Sequence, residues 1–449
     1  MREGSLEAPT RHPIEWQNAD FYDEAKLDEE LRRVFDICHG CRRCFNLCDS
    51  FPRLFDLIDE GESGELDVIK SEDFKPVVDA CTLCDMCFLT KCPYVPPHEF
   101  NLDFPHLMLR YRAVEAKKSG VPWTERMLTA TDRNGKAGVL AAPLANWATR
   151  TGNATARALM EQTLGIDRQA DLPRYHGKAF TVRTAQEPPE LNTAAPAFGR
   201  KAVLYATCFV NYNNPSIGMA ARAVLAKNGV ETEVVHPRCC GMPQLEHGEI
   251  AKVAKAAEQI AEAMQPWIDK GYDIVSLVPS CTLMLKFEWP LIVPGNAAIK
   301  RLSEATFDIS EYVVDIARKE GLAEGMAPLD DGVTVHIACH ARAQNMGQKG
   351  AELLRLIPEA KVAVIERCSG HGGSWGIMKD NFETALKVGR PASRQALKAG
   401  NGYLASECPL AGPHIIQGMA MLAKDETVPT TAPHPVELLA KAYGLAVEP

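Results

Sequence analysis

Eight cysteines in two runs near the beginning of the chain are the residues best suited to chemistry. The first run is Cys38-His-Gly-Cys41-Arg-Arg-Cys44-Phe-Asn-Leu-Cys48, and the second is Cys81-Thr-Leu-Cys84-Asp-Met-Cys87-Phe-Leu-Thr-Lys-Cys92-Pro93. Cysteine thiolates hold zinc ions and iron–sulfur clusters. A zinc site needs two C-x2-C pairs, whereas each run has three cysteines at two-residue spacing and a fourth beyond them. The pattern favours iron–sulfur cubanes, because three thiolates at this spacing wrap one side of a cubane.

The fourth ligand of each cubane is predicted to come from the other run. In two-cluster ferredoxins, three cysteines of one run are completed by the last cysteine of the other. By that rule, one [4Fe–4S] cluster is held by Cys38, Cys41, Cys44 and Cys92, and the other by Cys81, Cys84, Cys87 and Cys48. The runs are separated by 32 residues with helical character. This head therefore resembles the helical two-cluster ferredoxin domains of respiratory dehydrogenase subunits.

Seven further cysteines belong to an internal repeat between residue 199 and the end of the chain. Each follows a short β-branched run: Cys208, Cys239, Cys240 and Cys281 in the first copy, and Cys339, Cys368 and Cys408 in the second. The steps match, since Cys208 to Cys239 is 31 positions and Cys339 to Cys368 is 29. Such runs alternating with helical patterns predict βαβ units and parallel sheets. Ligands gather beyond the carboxyl ends of such strands, so each copy should bring its thiols into one crevice.

Several metal contents are open for these repeats. The four thiols of the first copy could hold a [4Fe–4S] cluster, a [2Fe–2S] cluster or Zn²⁺, and Gly241 gives the turn after the cysteine pair the freedom that it needs. The three thiols of the second copy need His340, His371 or an exogenous group as a further ligand, or the site is open or empty. A packing role is the default for both histidines. An open iron could bind a substrate sulfur.

Five segments are predicted to position these residues. The fold class is α/β, with an α-helical two-cluster ferredoxin domain and two pseudo-repeated βαβ lobes with parallel sheets. Residues 1–30 form an acidic N-terminal arm that is partly loose, and residues 31–105 form the ferredoxin domain. Residues 106–198 form a helical connector that ends in an extended Pro-rich linker. Residues 199–325 and 326–449 form the first and second Cys-Cys-Gly-type α/β repeats.

Composition and charge exclude several classes of protein. The chain has 449 residues, of which 46% are hydrophobic and 24% charged, as in soluble globular proteins. Residues 1–100 hold 22 acidic and 11 basic side chains, a net charge of −11 against −9 for the whole chain. This acidity argues against nucleic acid and suits docking to a basic protein surface, or serves solubility alone. Fifteen cysteines without an apolar signal segment indicate a reducing cytoplasm.

Two copies of Cys…Cys-Cys-Gly…Cys after a two-cluster ferredoxin segment resemble the heterodisulfide reductase-related family of iron–sulfur proteins. The resemblance covers roughly residues 30–445 and includes LMLRYRAVEAKKSGV and ERCSGHGGSWGIMKDNFETALKVGR. It implies electron transfer between a flavin partner and a quinone or another acceptor. Full repeats of that family have five thiols, which hold a non-cubane cluster that cleaves a disulfide. Here Met284 and Ala411 stand at the fifth positions and Ser369 replaces one paired cysteine, so conventional clusters, zinc or partly empty sites fit better.

We expect an electron-transfer protein or subunit that passes single electrons between a redox partner and clusters in the repeats. The sequence has no G-x-G-x-x-G fingerprint, so a flavoprotein dehydrogenase, a quinone or a small diiron redox protein is the expected partner. Two alternatives stay open: a disulfide or persulfide reductase acting at an open cluster, and a zinc-filled scaffold with only the head redox-active. We expect a cytoplasmic location and no transmembrane segment. Peripheral contact with the inner face of the membrane stays open.

Overall fold

The computed structural model of the protein describes residues 8–186, 188–423 and 427–445. The described residues form two compact units. Unit 1 contains the described residues up to Thr129, together with Gly241–Lys255 and Glu288–Gly295. Unit 2 contains the described residues of Ala130–Cys240, of Ala256–Phe287 and from Asn296 onward. Residues 1–7 of the predicted arm, Glu187 of the predicted linker, and residues 424–426 and 446–449 of the predicted second repeat lie outside the described residues.

Unit 1 is built from short helices around an aromatic core. Asp23 caps the first helix by accepting hydrogen bonds from the backbone N–H groups of Ala25 and Lys26. The rings of Phe35, Phe51 and Phe74 are at most 2% exposed and form the centre of the core. The helices before residue 130 are α1 (Glu24–Cys41), α2 (Ser50–Asp59), α3 (Lys75–Asp79), α4 (Phe104–Ser119) and α5 (Trp123–Thr129).

The chain between residues 130 and 200 is helical and then irregular. Its helices are α6 (Thr131–Leu140), α7 (Ala142–Thr149), α8 (Ala154–Leu164) and α9 (Phe180–Gln186). The predicted Pro-rich linker does not run extended throughout, because residues 193–199 form turns. The N–H of Ala195 donates to the carbonyl of Asn192 and that of Phe198 to the carbonyl of Ala195, and Ala195 and Ala197 are buried.

A four-stranded parallel sheet follows, with strand order β2-β1-β3-β4. Strands and helices alternate along this part of the chain, as the alternating β-branched and helical patterns of the sequence predict. The strands are β1 (Lys201–Tyr205), β2 (Glu231–Val235), β3 (Asp273–Ser276) and β4 (Thr306–Asp308). The helices are α10 (Cys208–Tyr212), α11 (Pro215–Lys227), α12 (Met242–Glu246), α13 (Ile250–Ile268), α14 (Pro279–Leu283), α15 (Trp289–Ile292), α16 (Ala297–Ala305) and α17 (Ile309–Lys319).

A second, three-stranded parallel sheet has the order β6-β5-β7. In both sheets the first strand in sequence lies between the second and the third. The strands are β5 (Val333–His336), β6 (Val362–Ile365) and β7 (Tyr403–Ser406), and the helices are α18 (Cys339–Arg342), α19 (Lys349–Leu354), α20 (Phe382–Ala399), α21 (Ala411–Leu422) and α22 (Pro435–Ala442). The predicted α/β class with parallel sheets is confirmed. The ferredoxin domain and the two-lobe repeat stay predictions.

Two expectations about local order need correction or addition. In the described part of the arm, the indole N–H of Trp16 donates to the carbonyl of Ile292 at 2.7 Å, so this segment is held in place. Strand β4 has only three residues, and a run that short gives no periodic signal in the sequence.

Within the described part of the chain, no helix is both long enough and apolar enough to cross a bilayer.

Candidate metal centres

Short turns after helices place the thiols of the first cysteine run in unit 1. Cys38 and Cys41 lie in the last turn of α1. Arg42 ends the helix with a left-handed φ of 53°, which turns the chain toward Cys44. Asp59 pairs with both Arg42 and His39, so these two side chains beside the first run share one carboxylate partner.

The first predicted ligand set lines one small pocket in unit 1. Burial, followed by Coulombic repulsion from Cys92, Cys44 and Cys41, raises the pKa of the Cys38 thiol. Burial and then repulsion from Cys92 raise the pKa of Cys44 to about 12. Cys92 belongs to the other run, so packing brings in the fourth thiol that the spacing rule names. The pocket is lined by Cys38, Cys41, Cys44, Cys92, Ile37, Arg43, Phe51, Phe55, Pro93, Tyr94 and Leu102.

The second predicted ligand set is also gathered across the two runs. Burial, followed by repulsion from Cys84 and Cys81, raises the pKa of the Cys48 thiol. Burial and repulsion from Cys84, Cys81, Cys44 and Cys48 raise the pKa of Cys87. Cys44 thus lies close to Cys87, which brings the two sets within Coulombic range of each other. Ligation itself stays a prediction.

Strained backbone shapes the second run. Leu83 and Asp85, on either side of Cys84, adopt left-handed φ angles of 47° and 62°. Non-glycine residues adopt such angles only where their surroundings hold them. A π-helical turn, Cys87–Lys91, then carries the chain to Cys92, whose N–H donates to the carbonyl of Cys87 at 2.8 Å. Single π-turns are frequent at functional sites.

The first repeat brings its four thiols together in unit 2, beyond the carboxyl ends of β1, β2 and β3. The Sγ atoms of Cys208 and Cys239 are 3.8 Å apart, and those of Cys240 and Cys281 are 3.3 Å apart. Burial and repulsion from all four raise the pKa of the Tyr205 phenol. The four thiols therefore lie near one another, and the metal or cluster that they would hold stays a prediction.

Asp132 supports this crevice and carries no sequence signal. One carboxylate oxygen accepts from the backbone N–H of Cys239 at 2.7 Å, and the other lies 2.7 Å from Nε2 of His236. Burial by itself would raise the pKa of Asp132, but the hydrogen bond and charge of His236 outweigh burial, so the pKa is lowered. Asp132 and His236 also line a cavity of about 670 Å³, together with Lys136, Tyr212 and Trp267.

The second repeat places its cysteines beyond the strands but gives them different neighbours. Cys339 opens α18 after β5, Cys368 follows β6 and Cys408 follows β7. Burial raises the pKa of the Cys408 thiol, and repulsion from Glu407 and Cys281 adds a smaller increase. Hydrogen bonds from backbone N–H groups partly oppose this increase. Cys408 thus approaches a thiol of the first repeat. Within the described ranges, no three or more His, Cys, Asp or Glu side chains surround a point where a single metal ion could be held.

The second repeat also contains buried histidines and a buried carboxylate. His371 and His414 pack edge to face with ring centroids 5.5 Å apart, and burial lowers their pKa values to about 3 and about 4. His340 is 9% exposed. The fully buried Glu407 accepts from the N–H groups of Ala338 and Gly350, and burial raises its pKa to about 8. Sequence analysis did not single out Glu407.

Gly370, two positions after Cys368, packs closely against helix α20. A Cβ on Gly370, whose φ is 83°, would lie 1.9 Å from the carbonyl oxygen of Ala385 in α20. A Cβ on Gly389 of the same helix would lie 2.1 Å from the carbonyl oxygen of Ser369. At Gly370, the close approach is therefore between the cysteine loop and a helix.

The comparisons with known proteins agree with this arrangement. The cysteine-rich domain family CCG matches residues 202–286 and 333–412, which contain all seven repeat cysteines. A subunit of the anaerobic glycerol-3-phosphate dehydrogenase of Escherichia coli K12 is 26% identical over 326 residues, which cover 71% of this chain and 76% of that protein.

Two archaeal proteins are similar over shorter stretches. A fumarate reductase (CoM/CoB) subunit from Methanothermobacter marburgensis is 27% identical over 275 residues, 60% of this chain and 50% of that protein. A dihydromethanophenazine:CoB–CoM heterodisulfide reductase subunit from Methanosarcina acetivorans is 26% identical over 276 residues, 59% and 64% of the two chains. Two stretches of the chain thus match the cysteine-rich CCG domain, and the chain is similar to these dehydrogenase and reductase subunits, which agrees with the resemblance that its sequence indicates.

Proposed function

We propose that the protein is an iron–sulfur electron-transfer subunit, or a partner protein, that passes single electrons between a redox partner and its C-terminal repeats. The observation that supports this most directly is the pocket lined by Cys38, Cys41, Cys44 and Cys92, since its thiols come from both runs. A second set of thiols lies within Coulombic range of the first. Such a pair of sites suits two [4Fe–4S] clusters, each of which carries single electrons when bound.

The chain contributes ligands, burial and charge to these sites. Cys87 and Phe88 are 7% and 4% exposed, so this side of the second set is shielded from water. Thiolates, not thiols, bind iron, so the buried thiols must release their protons when the sites are loaded. We extend the proposal to the crevice of Cys208, Cys239, Cys240 and Cys281 as the site of a third cluster, whereas zinc there would favour the scaffold alternative. The content of the Cys339, Cys368 and Cys408 region stays a weaker prediction.

A redox partner is part of the proposal, because the relatives bear names of subunits of dehydrogenases and reductases. The partner is a flavoprotein dehydrogenase, a quinone or a small diiron protein. We also propose a cytoplasmic location, peripheral to the membrane when the acceptor is a quinone.

The experiment is anaerobic purification followed by iron and zinc quantification and an EPR-monitored redox titration. The proposal expects about twelve irons per chain and no zinc when the first repeat holds a cubane, since each cubane contributes four. About eight irons with one or two zincs identifies the scaffold alternative. A colourless protein with free or disulfide-linked head cysteines contradicts the proposal.

Disulfide or persulfide reduction is the second candidate, favoured by the relative whose name is that of a heterodisulfide reductase subunit. Met284, Ser369 and Ala411 at the positions of further thiols weigh against it. The reduced protein is mixed with disulfides and persulfides under anaerobic conditions. Turnover with intact clusters supports this candidate, and its absence removes it.

A further inference from the structure

One buried arginine from the N-terminal arm connects three carboxylates of unit 1. Arg11 donates to both oxygens of Asp85, at 2.7 and 2.9 Å, and to both oxygens of Asp103, at 2.8 and 3.1 Å. A fifth bond, at 3.1 Å, joins it to Glu288. These bonds use all five N–H donors of a guanidinium. The Arg11 side chain is 13% exposed, and those of Asp85 and Glu288 are 5% exposed.

The network lies on the second cysteine run. Asp85 stands between Cys84 and Cys87, in the left-handed conformation that bends this loop. The Cζ atom of Arg11 also lies 4.7 Å from the ring centre of Phe88, which follows Cys87. Arg11 thus contacts the loop at two points that flank two predicted ligands. A bidentate guanidinium–carboxylate pair fixes orientation as well as distance.

Further contacts hold Arg11 in place from its own segment. The N–H of Thr10 donates to the carbonyl of Pro96 at 3.0 Å, and the N–H of Ile14 donates to that of Leu291 at 2.8 Å. His106 completes the network, since its Nε2 lies 3.2 Å from Glu288 and its Nδ1 lies 3.3 Å from Asp103. The arm is therefore fixed on both sides of Arg11.

A merely stabilising ion pair would not need this arrangement. A buried salt bridge adds little net stability, because desolvation offsets its Coulombic gain. Here the bidentate pair of Arg11 and Asp85 holds a residue with a left-handed φ in the loop of predicted ligands. The guanidinium also adds a positive charge beside three carboxylates. Both effects act on whatever the neighbouring thiolates bind.

We propose that Arg11 is a positioning residue for the second cysteine set: it holds the Cys81–Cys87 loop in its ligating conformation and raises the reduction potential of the cluster bound there. The inference rests on the proposed function of that set. Positive charge near a cluster favours the reduced state, which carries one more electron.

The test uses the full-length holoprotein with Arg11→Gln, Arg11→Lys and the control Arg33→Gln, which removes an exposed guanidinium from the same unit. Each is followed by EPR-monitored redox titration, and the transition of the second set is identified as the one lost in Cys81→Ser. In Arg11→Gln the reduced-to-oxidised ratio of that transition at fixed potential should fall about tenfold, which is 59 mV for one electron. Arg11→Lys should restore part of the shift, and Arg33→Gln should cause none.

Loss of about four irons from Arg11→Gln with the first-set signal retained also supports the inference. If Arg11→Gln retains no iron at all, the same titration is carried out on Asp85→Asn. Removing this negative charge should shift the second-set transition to higher potential. An unchanged second transition, or equal shifts of both transitions, overturns the inference. A wild-type protein without two cubanes contradicts the proposed function instead.

Discussion

At the scale of single residues, Cys92 shows most clearly how a thiol from one run serves the other. It lines the pocket of Cys38, Cys41 and Cys44, although at least 48 positions separate it from each of them. The cysteine spacing predicts this arrangement only by analogy with two-cluster ferredoxins, in which the last cysteine of one run completes the cluster of the other run. The packing of unit 1 supplies the proximity on which that rule depends.

Replacing Cys92 with serine should therefore remove the first cluster and not the second. We expect Cys92→Ser to lose about four irons per chain, because a cubane needs its fourth thiolate. Iron quantification and EPR of the anaerobic protein measure this, with Cys41→Ser as the matched variant that should lose the same signal. If Cys92→Ser instead loses the signal that Cys81→Ser removes, the assignment of ligands to sets is wrong.

At the scale of elements, the loop after β6 depends on a close approach to helix α20. Gly370→Ala should destabilise the protein by about 3 kcal/mol or more, since a left-handed alanine costs about 1–2 kcal/mol and the overlap with Ala385 adds to it. Gly400 also has a left-handed φ, of 61°, but open space around its Cα. Gly400→Ala should cost only about 1 kcal/mol. Denaturant unfolding measures both, and equal effects would contradict the crowding argument.

The N-terminus of α22 should make the protein sensitive to acid. The Nδ1 of His434 accepts from the N–H of Val436, and burial lowers the pKa of His434 to about 3. An unfolded histidine titrates near 6.5, so the unfolded state takes up a proton below that pH while the folded state stays neutral. Stability is thus present above pH 6.5 and is lost as pH falls toward 3.

His434→Asn keeps a hydrogen-bond acceptor for the cap and removes this titration. Burial lowers the pKa values of His336, His371 and His414 in the same direction, so the variant should make the loss of stability with falling pH shallower without abolishing it. Thermal unfolding between pH 7.5 and 5.5 measures the slope. An unchanged slope in His434→Asn would count against a neutral buried histidine.

At the scale of the whole molecule, charge is concentrated at the beginning of the chain. The net charge of −11 in residues 1–100 should attract cationic redox partners. We expect the radical monocation of a dialkyl viologen to reduce the head faster than the radical of a bis-sulfonated viologen of similar potential, which carries a net negative charge, by roughly tenfold at low salt. Stopped-flow measurement at rising ionic strength should bring the two rates together. A ratio independent of salt would mean that the acidity serves solubility rather than docking.

Local patterns in the sequence predicted much of this protein. The β-branched runs before Cys208, Cys281, Cys339 and Cys408 predicted strands of parallel sheets, and the structure confirms them. Cysteine spacing named the two candidate ligand sets. Such features are readable because they depend on residues within a few positions of one another.

Only the tertiary structure decided which distant residues support these thiols. Arg11 meets Asp85 and Glu288 across 74 and 277 positions, and Asp132 meets Cys239 across 107. Neither Arg11 nor Asp132 belongs to a motif, and the acidic arm that contains Arg11 was expected to be partly loose. A buried charge finds its partners through packing of the whole unit, and no local period in the sequence records that packing.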